Sequence, residues 1–414
     1  MDRLLEWVVG HIVRTGNLTL ISASGRALTF GDGTGTPIVG RFTSRAWQTR
    51  TMLDPELRLG EAYMDGGFVM ERGSIAEFLD LVIRNMSRIK PTFWTRAVRK
   101  LRRLWRDTFA DNNLFRASRN ARHHYNIDHR LYRLFLDKDM QYSCAYFARP
   151  DMTIEEAQTA KRQHITDKLL IDREGLKVLD IGSGWGGLGL HIARQPHKPS
   201  VIGINLSDEQ VRIAKQRALD DKANVEFRIQ DYRKVEERFD RIVSVGMFEH
   251  VGLKHYDDFF KKCYQILDDN GLMVLHSIGR WDAPSATNAW VWKYIFPGGY
   301  TPTLSEVTPV IERNGFIIAD IEVLRLHYAE TLRCWRERFL ARRNEVLKLF
   351  DERFIRMWEF YLSAFEPTFR YDGLNVFQIQ LIKKNSPVTP PIVRDYMYPS
   401  PGIGVRDRMM TAAE

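Results

Sequence analysis

Cysteine is scarce in this chain: Cys144, Cys263 and Cys334 are the three in 414 residues. So few, so far apart, exclude a disulfide framework and a cysteine-rich zinc site; no metal is expected, and Cys263 and Cys334 read as ordinary helix residues. Long apolar runs are missing too. No window reaches the roughly 18 uninterrupted apolar residues of a membrane span, and Glu6 and His11 break the first apolar stretch, which makes it a poor signal peptide. These absences predict a cytoplasmic protein. One segment lacks acidic residues altogether: Arg84 to Arg106 holds nine Lys or Arg and no Asp or Glu, in a chain of net charge +9. That excess points to an anionic partner. No recognised nucleic-acid motif accompanies it, so an anionic membrane surface is expected rather than nucleic acid.

Within that segment Trp94, Val98, Leu101, Leu104 and Trp105 fall at helical spacing. They form either a basic helix packed onto the body by its tryptophans or one lying on anionic lipid. Leu4, Leu5, Val8, Val9, Ile12 and Val13 likewise share one helical face near the N-terminus, and Ile75 to Ile83 reads as a core helix.

The most informative stretch is KVLDIGSGWGGLG, Lys177 to Gly189. Val178 to Ile181 reads as a buried strand, Gly182, Gly184, Gly186 and Gly187 as a tight turn, and Leu188 to Ala193 as the start of a helix. Glycines there permit positive φ and close approach of a ligand to the backbone, beside free helix N–H groups. Gly182, Gly184 and Gly187 also fit the dinucleotide pattern, so the glycines alone leave NAD and S-adenosylmethionine (SAM) both open. The flanks favour SAM. Asp180 stands two positions before the first glycine, where a carboxylate can meet an ammonium, and the second strand, Val201 to Ile204, ends at Asn205 rather than at the acidic residue a dinucleotide site prefers.

Further strands at 225–229, 241–245, 272–276, 316–323 and 376–381 alternate with helical patterns such as 208–219 and 256–267. The alternation predicts an α/β fold with a parallel, doubly wound, Rossmann-like sheet, preceded by a smaller mixed α/β domain. The expected divisions are a lipid-engaging domain at 1–106, a linker at 107–130, the catalytic domain at 131–384 and a tail at 385–414. Ligands of such sheets bind beyond the carboxyl ends of the strands, which nominates Gly182, Asn205, Asp231 and the segment after Val245. Glu249, His276 and Tyr328 also fall at or beyond strand ends. A cap, a satisfied core histidine and a packing tyrosine are the plain alternatives, but their joint placement puts them on the cofactor's crevice.

MQYSCAYF (Met140 to Phe147), VLDIGSGWGG (Val178 to Gly187), GINLSDEQ (Gly203 to Gln210), QDYR (Gln230 to Arg233), FDRIVSVGMFEHVG (Phe239 to Gly252) and LHSIG (Leu275 to Gly279) together resemble the cyclopropane fatty acid synthases. LGEAYMDG (Leu59 to Gly66) extends the similarity into the small domain. The resemblance implies transfer of a methylene from SAM to the cis double bond of an unsaturated acyl chain in a membrane phospholipid. Tyr142, Ser143, Gly182, Asn205, Gln210, Asp231 and Tyr232 match cofactor-binding positions, and Asp180 and Gly184 join them from the strand and glycine turn. Cys144, Glu249, His276, Ile278 and Tyr328 match the cluster that holds a bicarbonate ion. Two departures stand out. Asn205 replaces the carboxylate that often meets the ribose, and Phe365 occupies a position where some members carry cysteine, which excludes a catalytic cysteine there.

The chemistry suits these residue types. An alkene is a weak nucleophile, so placement in line with the sulfonium is the main contribution available. The resulting cation then needs a base; bicarbonate, held by the His and Tyr side chains and backbone N–H groups over Glu249, suits this better than a carboxylate open to methylation. Phe248, Trp290 and Tyr300 are candidates for stabilising the cation by their π faces. The implied location is the inner face of the cell membrane, peripherally bound, and a homodimer is compatible with it. Two alternatives share the motifs: a SAM-dependent methyltransferase giving a methyl-branched lipid, and an RNA- or anionic-surface-binding protein with an idle methyltransferase domain.

Overall fold

The structure, a computed structural model, describes residues 1–89 and 128–398. Trp94, Val98, Leu101, Leu104 and Trp105 of the basic stripe, most of the expected linker and the end of the tail lie outside the described residues.

The N-terminal part packs helices Asp2–Ile12, Arg45–Leu53, Pro55–Met64 and Ile75–Met86 around a sheet of β1 (Leu18–Ile21), β2 (Ala27–Phe30), β3 (Ile38–Phe42) and β4 (Phe68–Arg72), in the order β2-β1-β3-β4. Its last helix starts at a capping box: the Ser74 side chain accepts from the Glu77 backbone N–H while the Glu77 carboxylate receives the Ser74 N–H.

The larger sheet has seven strands: β5 (Lys177–Ile181), β6 (Ser200–Asn205), β7 (Val225–Ile229), β8 (Phe239–Val245), β9 (Leu267–Arg280), β10 (Phe316–Val323) and β11 (Leu374–Lys383). Their order, β10-β11-β9-β8-β5-β6-β7, puts β5 and its glycine turn where the winding reverses, the place at which such sheets bind ligands. The expected all-parallel sheet is corrected at one strand. β11 runs antiparallel to both β9 and β10, so the sheet is mixed. β11 is buried along its whole length, as a strand covered on both faces must be.

The two parts share one hydrophobic core. A cluster of buried residues runs from Leu5 and Phe78 through Trp290 and Trp335 to Trp358. Helix Glu352–Tyr371 carries much of the seam: Glu359 accepts from the Tyr63 hydroxyl at 2.9 Å, and Arg353 pairs with Asp65 at 2.6 Å. Helix Pro55–Met64 meets helix Ala289–Tyr294 closely because Gly60 has no side chain; a Cβ there would lie 2.4 Å from the Trp290 indole nitrogen.

Candidate active site

Beyond the carboxyl end of β5 the chain turns through Gly182, Gly184 and Gly186, all at positive φ, into helix Gly187–Ala193. A cavity of about 150 Å³ opens there. All nine expected cofactor residues line it: Tyr142, Ser143, Asp180, Gly182, Gly184, Asn205, Gln210, Asp231 and Tyr232. A Cβ on Gly184, at φ +55°, would meet no protein atom within 4 Å, so the space beside it is open to a ligand.

The polar groups around this cavity are partly committed and partly free to bind. Asn205 gives its Nδ2–H to Gln210 Oε1 at 2.7 Å and accepts the Leu206 N–H, so Asn205 and Gln210 act as one unit. Gln210 Nε2 and Asp180 Oδ2 are buried without a hydrogen-bond partner. Burial raises Asp180 to about 7, against the pull of the Lys161 charge. A buried carboxyl oxygen and an amide N–H with nothing to bond are costly unless a ligand supplies partners. An ammonium and a hydroxyl, both carried by SAM, fit them. Asp231 holds Arg233 through both carboxylate oxygens, at 2.9 and 2.7 Å, at the cavity rim.

A second, larger cavity of about 560 Å³ adjoins the first. Its far wall is apolar and comes from the N-terminal part, including Val8, Ile12, Leu20, Phe78 and Ile83. Cys144, Glu249, His276, Ile278 and Tyr328 all line its near end, so the five residues expected to act together are brought together. Tyr142, Ser143, Gly246 and His250 belong to both cavities and form their junction.

Glu249 sits in a single 3-10 turn, Phe248–His250, just after β8. Its Oε1 accepts the Ile278 N–H at 2.6 Å, while Oε2 is buried without a partner. Burial pushes its pKa up to about 7 despite the Ile278 hydrogen bond. Ile278 therefore commits its N–H to Glu249. His276 is buried, burial holds its pKa well below the ordinary value, and its Nδ1 lies 3.1 Å from Gln378 Nε2. Tyr328 stands edge-on to Trp335 and against Phe369. The Cys144 thiol lies 3.3 Å from the Ala145 carbonyl and burial raises its pKa, so it is a neutral wall residue and not a thiolate.

Trp290 and Tyr300 line the larger cavity, but Phe248 does not. It is fully buried and stacked on Tyr256, because the short turn that aims Glu249 at the cavity sends its neighbour into the core. Sequence reasoning also missed helix Ile154–Lys168, which buries Lys161, His164 and Lys168. Its capping box, Thr153 with Glu156, is a readable helix start; the burial of its cations is not.

Residues 112–379 match the family model described as mycolic acid cyclopropane synthetase. The chain belongs to this family. Cyclopropane synthetases of known name are similar over most of its length: it is 36% identical to cyclopropane-fatty-acyl-phospholipid synthase of Escherichia coli over 338 residues, 80% of this chain and 84% of that one. It is 37% identical to tuberculostearic acid methyltransferase of Mycobacterium tuberculosis over 353 residues, 79% of each chain. Among solved structures, a mycolic acid cyclopropane synthase complexed with SAH and CTAB superimposes with a TM-score of 0.61 at 31% identity, covering 64% of this chain and 98% of that one. The enzyme is thus a SAM-dependent cyclopropane synthetase by family.

Proposed function

We propose that this enzyme is a cyclopropane-fatty-acyl-phospholipid synthase that acts at the inner face of the cell membrane. It would transfer a methylene from SAM to the cis double bond of an unsaturated acyl chain, with bicarbonate as the base. The observation that carries the reading is the junction at Tyr142, Ser143, Gly246 and His250, where a polar cavity meets an apolar one. SAM supplies an electrophilic methyl group when bound. Asp180 and the Asn205–Gln210 unit orient it through the groups left unpartnered, and the glycine turn gives it room. The apolar cavity takes the acyl chain and excludes water from the cation it becomes. Bicarbonate, when bound, would supply a proton acceptor that exchanges with solvent and is not part of the chain. Glu249 Oε2, buried and without a partner, is suited to accept its O–H, and His276 and Tyr328 close the same end of the cavity.

Membrane engagement is supported by helix Asp2–Ile12: Val8, Val9 and Ile12 line the cavity while Leu4 and Trp7, at 39% and 62% exposure, face outward. No helix among the described residues is long and apolar enough to cross a membrane. A methyl-branched product is the second reading, favoured by the similarity to tuberculostearic acid methyltransferase. Lipid mass spectrometry and proton NMR of cells expressing the protein separate them. Each modified chain should gain one CH₂, lose its olefinic signals and acquire ring-methylene signals. A saturated methyl branch, two hydrogens heavier, would reject the cyclopropane reading.

A further inference from the structure

Gln378 has a partner on each side in the sheet, because β9, β11 and β10 are in register at one row: it pairs with His276 on one side and with Glu322 on the other. Lys168, the last residue of helix Ile154–Lys168, reaches this row and is itself buried. Its Nζ lies 2.7 Å from Gln378 Oε1 and 2.5 Å from Glu322 Oε2. An ammonium can only donate, so the face of the Gln378 amide turned to Lys168 must be its oxygen. The NH₂ then faces His276 Nδ1, at 3.1 Å. An amide NH₂ can only donate as well, so Nδ1 must be the bare nitrogen of the ring. The ring is neutral in this buried setting, and its one proton has to sit on Nε2.

We infer that Lys168 and Gln378 are positioning residues that lock His276 as the Nε2–H tautomer, so that it meets its ligand in the larger cavity as a hydrogen-bond donor to an anionic oxygen and not as a base. The inference rests on the proposed function for the identity of that ligand, bicarbonate, but the tautomer follows from the row of side chains alone. Glu322 keeps the arrangement in place. Burial works to raise its pKa, yet hydrogen bonds from His164 and Lys168 hold it down to about 2, so it remains a carboxylate beside the Lys168 ammonium. His164 in turn is anchored through Nδ1 to the Met397 carbonyl at 2.8 Å.

Replacing Gln378 by Glu offers His276 a carboxylate that can only accept and therefore calls the proton to Nδ1. Lys168→Met lets the amide turn over, with the same result, whereas Lys168→Arg keeps a donor-only partner. Long-range ¹H–¹⁵N spectra of protein labelled at histidine, with His276 assigned by its loss in His276→Asn, read the tautomer directly. Wild type is expected to carry the proton on Nε2, and Gln378→Glu and Lys168→Met on Nδ1. Both variants should lose on the order of 10²-fold in kcat on dioleoyl phosphatidylglycerol vesicles with SAM affinity unchanged, and Lys168→Arg should retain turnover. A wild-type His276 protonated at Nδ1 overturns the inference, as does a Gln378→Glu enzyme with unchanged tautomer and rate. If His276→Ala turns over normally while wild type shows the Nε2 proton, the bicarbonate reading fails and the tautomer assignment stands.

Discussion

Glu249 is held where folding alone would not put a carboxylate: buried, one oxygen on the Ile278 N–H and the other with no partner. The sign of the consequence follows from its raised pKa. Below about pH 4.5 the group is protonated folded or unfolded and adds no pH-dependent cost; as pH rises to about 7 and beyond, the unfolded chain ionises it freely while the folded chain must carry a buried charge. Wild-type stability should fall across that window, and Glu249→Gln should be the more stable protein at pH 8 by up to about 3 kcal/mol. Denaturant titrations at pH 5 and 8 check this. The same variant is expected to lose roughly 10²-fold in turnover while binding SAM normally, the pattern of a group kept for chemistry at a cost to the fold. Gly184 gives the complementary case. A Cβ there meets no protein, so Gly184→Val should leave a folded chain, strained at φ +55°, whose side chain occupies the SAM space. Calorimetry should detect no SAM binding; wild-type affinity would move SAM elsewhere.

At the level of elements, the glycine turn and the strands around it were legible because a short apolar run, closely spaced glycines and a helical pattern specify geometry within a few residues. β8 likewise declared Glu249, which falls just past its end, whereas His276, expected at a strand end, stands inside β9 because that strand runs on to Arg280 beside β11. What was not legible depends on contacts far apart in sequence. Nothing in the composition of Leu374–Lys383 gives its direction, so the antiparallel return of β11 and the register placing Gln378 beside His276 were hidden. Helix Ile154–Lys168 went unread, and Lys161 and Lys168 on it are buried, a placement set by partners distant in sequence. The first helix was legible as amphipathic, but its two apolar sides were not. If Leu4 and Trp7 meet the bilayer, Leu4→Glu with Trp7→Glu should reduce sedimentation with anionic vesicles and turnover on them, while turnover on detergent-dispersed phospholipid is preserved. Equal losses on both substrates would assign these residues to the fold.

For the whole molecule, the expected division into a small and a large domain understates how the two are joined, since the apolar cavity takes its walls from both. A change at the seam should therefore be felt by the lipid side and spare the SAM side. Gly60→Ala, whose methyl would press on Trp290, is expected to destabilise by about 1–3 kcal/mol and to lower turnover with SAM affinity unchanged. Thermal unfolding should remain a single transition in both proteins; two transitions in wild type would show that the core does not bind the parts together.

The junction at Tyr142, Ser143, Gly246 and His250 has a pharmacological meaning. A single compound with an adenosyl amino acid head and a hydrocarbon tail attached where the methyl departs would span both cavities through this opening. Because the tail's entry becomes intramolecular once the head is seated, such a bisubstrate ligand gains from effective concentration as well as from contacts. It would also discriminate among methyltransferases. Those that share the head's cradle but end in a closed wall at this point have no room for the tail.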